Sequence, residues 1–259
     1  MNPQSGPLAE HPDGLLPVLN ILPYPCAIEE GLALDQRLLN EVAVSGGRRV
    51  GLWSSNPALV VSRRDTRLPG FAEGAAWVES TYGLPVVMRA TGGTAVLQGP
   101  DVLTLSLAFE PETQDINAAY GELLAVIAAA VAPFATEPAL AAVPGAYCDG
   151  AHNIVAAGRK LAGTAQRRRR GARPAVLVHA VVSMFDDLVR STDIINGFYA
   201  AAGTPSAYTA DACINLQDAA YARGQVIDSH SLNVQARQSF ALAALDWIWA
   251  GTRESGEGG

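Results

Sequence analysis

The residues best equipped for chemistry in this 259-residue chain fall in short, glycine-containing segments. One is Tyr147-Cys148-Asp149-Gly150-Ala151-His152-Asn153, which carries a thiol. A second is Gly158-Arg159-Lys160-Leu161-Ala162-Gly163-Thr164-Ala165-Gln166, and its Lys160 is the only lysine in the sequence. An ammonium is a compact point charge with three rotatable donors, whereas a guanidinium is a planar fork that stays charged. A lone lysine among arginines therefore marks a place where the point charge matters. Gly158 and Gly163 permit a tight turn and close backbone approach beside it. A thiolate becomes nucleophilic near a cation or a cluster of backbone amides. That makes Cys148 the candidate nucleophile, set against the commoner fate of a lone cysteine as a small buried packing residue. Cys26 and Cys213 lie in apolar surroundings and read as packing.

A third segment is Met88-Arg89-Ala90-Thr91-Gly92-Gly93-Thr94-Ala95-Val96-Leu97. An apolar run enters a Gly-Gly turn and leaves as another apolar run, which predicts a hairpin-like arrangement. Successive main-chain amides in such a turn can cradle an anion, and Arg89 could pair with a phosphate or carboxylate. Spacing alone leaves the anion cradle and the plain hairpin equally open. His179 sits in the apolar run Val176 to Val182, where a satisfied core histidine is commoner than a base. No Gly-x-Ser-x-Gly elbow, HExxH or Walker A pattern occurs. An arginine beside a Gly-Gly turn, a lysine between glycines and a thiol suit the binding of an anionic or acyl-carbonyl group and the movement of the acyl unit.

The elements that must position these residues can be read from periodicity. Val18 to Leu22, Val50 to Trp53, Ala58 to Val61, Pro85 to Arg89, Val102 to Phe109, Ile154 to Ala157, Lys160 to Thr164 and Val176 to Val182 read as strands. Helices are expected from Ile28 to about Val42, ended by Gly46-Gly47, from Phe71 to Tyr82 with Gly83 behind it, and from Ala118 to Ala132. Asp35 falls inside the first, among apolar neighbours, where it could orient something in a cleft. Residues 133–146 read as a connecting loop, and Arg167-Arg168-Arg169-Arg170 with Arg173 as a solvated loop, the alternative being a run that meets a phosphate or docks an acidic partner. The pattern weakens over 191–229. A last helix is expected from Leu232 to Trp249, capped by Ser231. Residues 1–17 are expected to form a flexible leader, 18–250 a single domain, and 251–259 a disordered tail.

Half of the residues are apolar and 17% are charged, which allows a sizeable core. A net charge of −7 argues against nucleic acid as the main partner. Three widely spaced cysteines without a CxxC or Cys/His cluster argue against a structural metal site and suit a reducing, cytoplasmic setting. The first twenty residues do not read as a signal peptide, and the apolar run Leu123 to Phe134 is too short to span a bilayer.

Taken together, the Arg89–Leu97 turn, the Asn153–Gln166 lysine segment and the Leu177-Val178-His179-Ala180 strand resemble the lipoate-protein ligase A and octanoyltransferase family, within the biotin/lipoate protein ligase superfamily. The Ala33-Leu34-Asp35 helix and the Asn56-Pro57 turn fall in the matching order. The resemblance implies an α+β fold, with a mixed, largely antiparallel sheet, packed helices and a shallow cleft. It implies Lys160 at the position that holds the acyl carbonyl, and Arg89, Gly92, Gly93, Thr94, Ala95, Val96 and Leu97 at the adenylate-binding turn. Gly163, Ala165 and His179 complete the expected substrate-binding set, and no metal ligand is assigned. Thr94 and Gln98 stand where many members carry a glycine and a histidine.

The first reading is a ligase that uses ATP and Mg²⁺ to make an acyl-adenylate. It passes a lipoyl-class acyl group to a carrier lysine in a 2-oxoacid dehydrogenase complex or the glycine cleavage H protein. The alternative is octanoyl transfer from acyl carrier protein through a Cys148 thioester, which needs no cofactor. A third is an inactive homologue that binds an acyl ligand or carrier. The acidic partner that the Arg167–Arg170 run could dock is then the carrier domain.

Overall fold

The computed structural model describes residues 18–135, 137–148 and 150–254. The chain runs β1 (Val18–Ile21), α1 (Ile28–Ser45), β2 (Arg49–Trp53), β3 (Ala58–Val61), α2 (Phe71–Tyr82), β4 (Val86–Met88), β5 (Val96–Gln98) and β6 (Val102–Phe109). It continues α3 (Ile116–Val131), β7 (Ala139–Ala141), β8 (Asn153–Ala156), β9 (Arg159–Arg169), β10 (Ala175–Ser183), α4 (Leu188–Ala201), α5 (Leu216–Ala222) and α6 (Ser229–Glu254). Seven strands form one sheet in the order β1-β2-β6-β10-β9-β8-β7, antiparallel throughout except for β1 beside β2. A second, three-stranded sheet has the order β4-β3-β5. The fold is α+β, with a mixed, antiparallel-rich sheet and helices packed on it. No helix among the described residues is long and apolar enough to cross a membrane.

Period-two alternation assigns each strand residue to a face. Leu103, Leu105 and Leu107 of β6 and Val176, Val178, Ala180 and Val182 of β10 pack in one apolar cluster with α3 and α6. The opposite face carries Gly51, Trp53, Thr104, Ser106, Leu177, His179 and Val181, and α1 crosses it. Gly51 is small for a reason: a Cβ there would lie 3.0 Å from Leu38 and 3.1 Å from Leu34 of α1. Helix α1 ends at Gly46, whose φ of 71° suits a residue without Cβ.

Several expectations need correction. The Gly-Gly segment is not a hairpin, because β4 and β5 do not pair; β3 lies between them, parallel to β4 and antiparallel to β5. The connecting turn therefore crosses over the end of β3. The first three residues of the arginine run are not a loop either, since Arg167, Arg168 and Arg169 pair with Leu177, Val176 and Ala175, and only Arg170 lies past the end of β9. Alternate residues find polar partners on opposite sides: Arg167 and Arg169 reach Gln36 and Asn40, while Arg168 reaches the Thr113 and Asp115 carbonyls. Part of the expected 133–146 loop is β7. Helix α4 was hidden by its β-branched residues and by Gly197, where a Cβ would come within 2.0 Å of Trp77. The last helix is capped by Asp228, which accepts from the Ser231 amide at 2.9 Å, and it runs to Glu254. Its last residues thus enter the expected tail; the expected leader lies outside the described residues.

Helix α1 comes close to the sheet at Gly31, where an added Cβ would fall 2.4 Å from the Trp53 ring. Overpacking of this kind costs about 1–3 kcal/mol. Gly31→Ala should lower the urea midpoint of unfolding accordingly.

Candidate active site

Two rows of side chains across the sheet form the floor of a cleft. In one, Gly51, Ser106, His179 and Ala165 are cross-strand neighbours; in the other, Trp53, Thr104, Val181 and Gly163 are. The small residues Gly163 and Ala165 on β9 give the floor its depth. Leu32 of α1, Val60, Val96 and Gln98 of the small sheet, and Arg89 and Gly92 of the crossing turn roof it. Cys148 stands at the edge of this narrow, largely apolar slot and also borders a wider mouth on the other side.

Cys148 has φ 54°, in the left-handed region that non-glycine residues seldom occupy. Such a conformation persists where its surroundings over-determine it. Here both flanking carbonyls are pinned. The Tyr147 carbonyl accepts from Lys160 Nζ, and the Cys148 carbonyl accepts from Asn153 Nδ2 at 3.1 Å. The sulfur in turn accepts from the Thr94 amide at 3.3 Å. Gly93, with φ 95°, makes this approach possible, because a Cβ on it would lie 2.5 Å from Cys148 Sγ and 2.9 Å from Arg89 Nη2. His152, near in sequence, is occupied elsewhere: its ring stacks on Tyr120 at 4.0 Å and Nε2 meets Asn117 Oδ1 at 2.8 Å.

Lys160 is buried, with Nζ 4.3 Å above the Tyr147 ring as well as bonded to its carbonyl. It borders a second recess with Tyr147, Leu97, Val102, Ser183 and Asp186, which shares Val96, Gly163 and Val181 with the slot. Gly163 leaves room for the ammonium, since a Cβ there would sit 3.3 Å from Nζ. Burial, then the neighbouring Asp101, pushes the Asp186 carboxyl up to about 7. Burial also holds the Tyr147 hydroxyl well above its ordinary range, with Asp186 adding to the effect.

Arg89 does not offer its fork to the cleft as expected. Nε and Nη2 donate to the Gly92 carbonyl at 3.2 and 2.8 Å, Nη2 to Thr94 at 2.7 Å, and Nη1 to Val60 at 3.0 Å. It is a buried clamp that bends the turn around the end of β3, and burial lowers its pKa from the usual arginine range. His179 Nδ1 lies 2.8 Å from Asp35 Oδ2, and Nε2 is 3.4 Å from Thr91 Oγ1. Asp35 Oδ1 accepts from Trp53 Nε1 and Ser106 Oγ at 3.2 and 2.6 Å. Asp35 therefore orients the histidine in the slot floor.

Of the residues expected from sequence, Arg89, Gly92, Val96, Cys148, Gly163, Ala165 and His179 line the slot, and Gly93 and Thr94 line the mouth beside Cys148. Lys160 and Leu97 line the second recess. Ala95 is fully buried and contributes its amide to Tyr199 Oη at 2.8 Å. Tyr199 itself carries no local motif; it arrives on α4 and donates to Asp65 Oδ1 at 2.8 Å. Among the described residues no group of three or more His, Cys, Asp or Glu could hold a metal ion.

The two turn glycines should separate by experiment. Gly92 has open space where its Cβ would be, whereas Gly93 does not. Gly93→Ala should reduce alkylation of Cys148 by a small acyl or alkyl reagent by about 10²-fold, while Gly92→Ala stays within a few-fold. The Asp186 shift has its own consequence. A carboxyl held neutral in the fold binds more protons than in the unfolded chain, so stability falls as pH rises from its ordinary value of about 4 to about 7. Asp186→Asn should flatten that fall, read as a smaller difference in urea midpoint between pH 5 and pH 8.

The profile of the lipoyl protein ligase A/B catalytic domain matches residues 27–221. An octanoyl-[GcvH]:protein N-octanoyltransferase of Kyrpidia tusciae is 36% identical over 183 residues, 68% of this chain and 63% of that protein. The chain thus spans under two thirds of that relative's length. An uncharacterized protein of Cupriavidus necator is 33% identical over 80% of this chain and 88% of its own. Among solved structures, a lipoate protein ligase of T. acidophilum with bound lipoic acid superposes with a TM-score of 0.65 at 15% identity, covering 93% of this chain and 94% of that one. A lipoate-protein ligase A bound with ATP gives the same score and identity. At that identity the structures show the fold, and the profile shows the family: the chain belongs to the lipoyl protein ligase A/B catalytic domain family.

Proposed function

We propose that this protein moves a medium-chain acyl group, octanoyl by preference, to a lysine of a lipoyl-type carrier domain through a thioester on Cys148. The observation that carries the reading is the setting of Cys148. Its sulfur is fixed in a left-handed loop between two pinned carbonyls, faces the Thr94 amide, and stands where an apolar slot meets a wide mouth. The slot, walled by Leu32, Trp53, Val60, Val96 and Val181, suits an alkyl chain. The curated relatives named as octanoyltransferases support the same reading.

In the first step the sulfur attacks the acyl carbonyl of a carrier-bound donor. A C–S bond forms, the bond to the donor heteroatom breaks, and the thiol proton leaves with that heteroatom. In the second step the ε-amine of the acceptor lysine attacks the thioester carbon. The C–N bond forms, the C–S bond breaks, and the amine's proton returns the sulfur to the thiol. A backbone amide aimed at the reacting sulfur needs no reorganisation when charge develops there. Lys160 acts in this scheme by holding the Tyr147 carbonyl, and so the conformation of the loop, and through Gly163 it borders the slot. The names of the relatives point to octanoyl-GcvH as a donor. With the glycine cleavage H protein as donor, the acceptor class is the lipoyl domains of 2-oxoacid dehydrogenase complexes, reached in the cytoplasm by one catalytic domain spanning residues 18–250.

An acyl-adenylate route fits less well. The arginine expected to meet the adenylate has its donors turned onto Val60, Gly92 and Thr94, and no step here passes through ATP.

Intact-mass measurement after incubation with octanoyl-GcvH or octanoyl-acyl carrier protein should show one octanoyl adduct, absent in Cys148→Ala. Transfer to added carrier should proceed without ATP. Lipoylation of the carrier only when lipoate and ATP are both supplied, with no adduct on Cys148, would replace this reading with the ligase one. Lys160→Arg keeps the charge but not the point geometry, and should slow adduct formation by about 10²-fold.

A further inference from the structure

The mouth outside Cys148 is rimmed by Arg63, Arg64 and Arg167, with Ser62 and the Ala90–Thr94 turn between them and the sulfur. All three arginines are exposed. Arg63 and Arg64 form no ion pair among the described residues, and Arg167 is bonded to the neutral amide of Gln36. Among the described residues, the arginines that meet a carboxylate are Arg37 and Arg49, both with Glu41, and Arg173 with Glu110. A chain of net charge −7 thus keeps uncompensated positive charge at the entrance to its thiol.

The rim is also rigidly mounted. Asp65 Oδ2 accepts from the amide and hydroxyl of Ser62 at 2.7 and 2.8 Å, which closes the turn that presents Arg63 and Arg64. Its other oxygen accepts from Tyr199 Oη at 2.8 Å, and Tyr199 Oη accepts from the Ala95 amide at 2.8 Å. The neighbouring Thr94 amide donates to the Cys148 sulfur. One chain of bonds therefore fixes the arginine turn relative to the nucleophile. Asp65 itself is buried and committed to these bonds, so it presents no carboxylate at the surface to cancel the two guanidiniums.

We propose that Arg63, Arg64 and Arg167 form the docking rim for the acyl-bearing carrier, a protein whose face around its modified residue is acidic. The rim holds carboxylates of that face while the acyl arm enters past Cys148. The inference rests on the thioester reading for its choice of partner. Guanidiniums suit the task because each can take a carboxylate with two parallel hydrogen bonds, and opposite charge across an interface raises the association rate more than it slows dissociation.

The test compares octanoyl-GcvH and octanoyl-acyl carrier protein with a small neutral donor, the octanoyl thioester of N-acetylcysteamine. Arg63→Glu/Arg64→Glu should lower kcat/KM for at least one carrier by tenfold or more and leave loading from the small thioester within twofold. Arg63→Lys/Arg64→Lys should retain most of the carrier rate. For the wild type, the carrier rate should fall steeply between 50 and about 500 mM salt, and the small-thioester rate should not. Equal losses with carrier and small thioester, or none with either carrier, would overturn the docking rim. Binding of unacylated carriers to the Cys148→Ala protein, with and without the two glutamates, reads the rim independently of turnover. If no donor of either kind acylates Cys148 but the glutamates still weaken carrier binding, the rim stands and the thioester reading falls. If carrier binding is unchanged by the glutamates, the rim falls.

Discussion

A buried ammonium must be given hydrogen-bond partners, because leaving a charge unpaired away from water costs several kcal/mol. In this protein that requirement shapes the reactive loop. Lys160 is among the most enclosed polar residues of the molecule, and its Nζ is met by the Tyr147 carbonyl and the face of the Tyr147 ring. Holding that carbonyl fixes the peptide entering Cys148, and Asn153 fixes the peptide leaving it. The left-handed backbone at Cys148 is then imposed from both sides, and the sulfur is turned toward the Thr94 amide. The loop, the turn and the lysine strand form one unit because each satisfies a buried polar group of another.

The rest of the fold supplies the frame for this unit. Strand β9 brings Lys160 beside the loop on one side and places Gly163 and Ala165 in the slot floor on the other. Strand β10 adds His179 and Val181 to the same floor, while its alternate residues fill the core under α3 and α6. The roof comes from the small sheet, tied to α4 by Tyr199 and bent at its crossing turn by the Arg89 clamp. The slot is thus a seam between two sheets, with apolar walls where the alkyl chain would lie and polar groups at its ends.

Arg89 and Lys160 show how a residue type read from the sequence takes its setting from the fold. Both were expected to face a ligand, since an arginine by a Gly-Gly turn and a lone lysine are good anion and carbonyl binders. In the fold Arg89 donates to the Val60, Gly92 and Thr94 carbonyls and Lys160 Nζ to the Tyr147 carbonyl, so both shape the backbone around the thiol. The sequence shows which charges are present and how they are spaced; it does not show whether a carbonyl or a substrate comes within their reach.

Much was legible before the fold was known. The long strands, the first three helices, Gly46 and Gly83 as helix ends, and the lysine and Gly-Gly segments follow from periodicity and side-chain stereochemistry, which act over a few residues. The family resemblance also rested on such local runs. What tertiary structure decided was everything that depends on contacts distant along the chain. Examples are the placement of β3 between β4 and β5, the continuation of β9 through the arginines, the Asp35–His179 pair, and the Tyr199 bridge between Asp65 and Ala95. Lys160 was conspicuous from composition alone. That its ammonium sets the backbone of Cys148 emerged only when a strand and a loop thirteen residues apart closed into contact, because a carbonyl leaves no trace in the sequence.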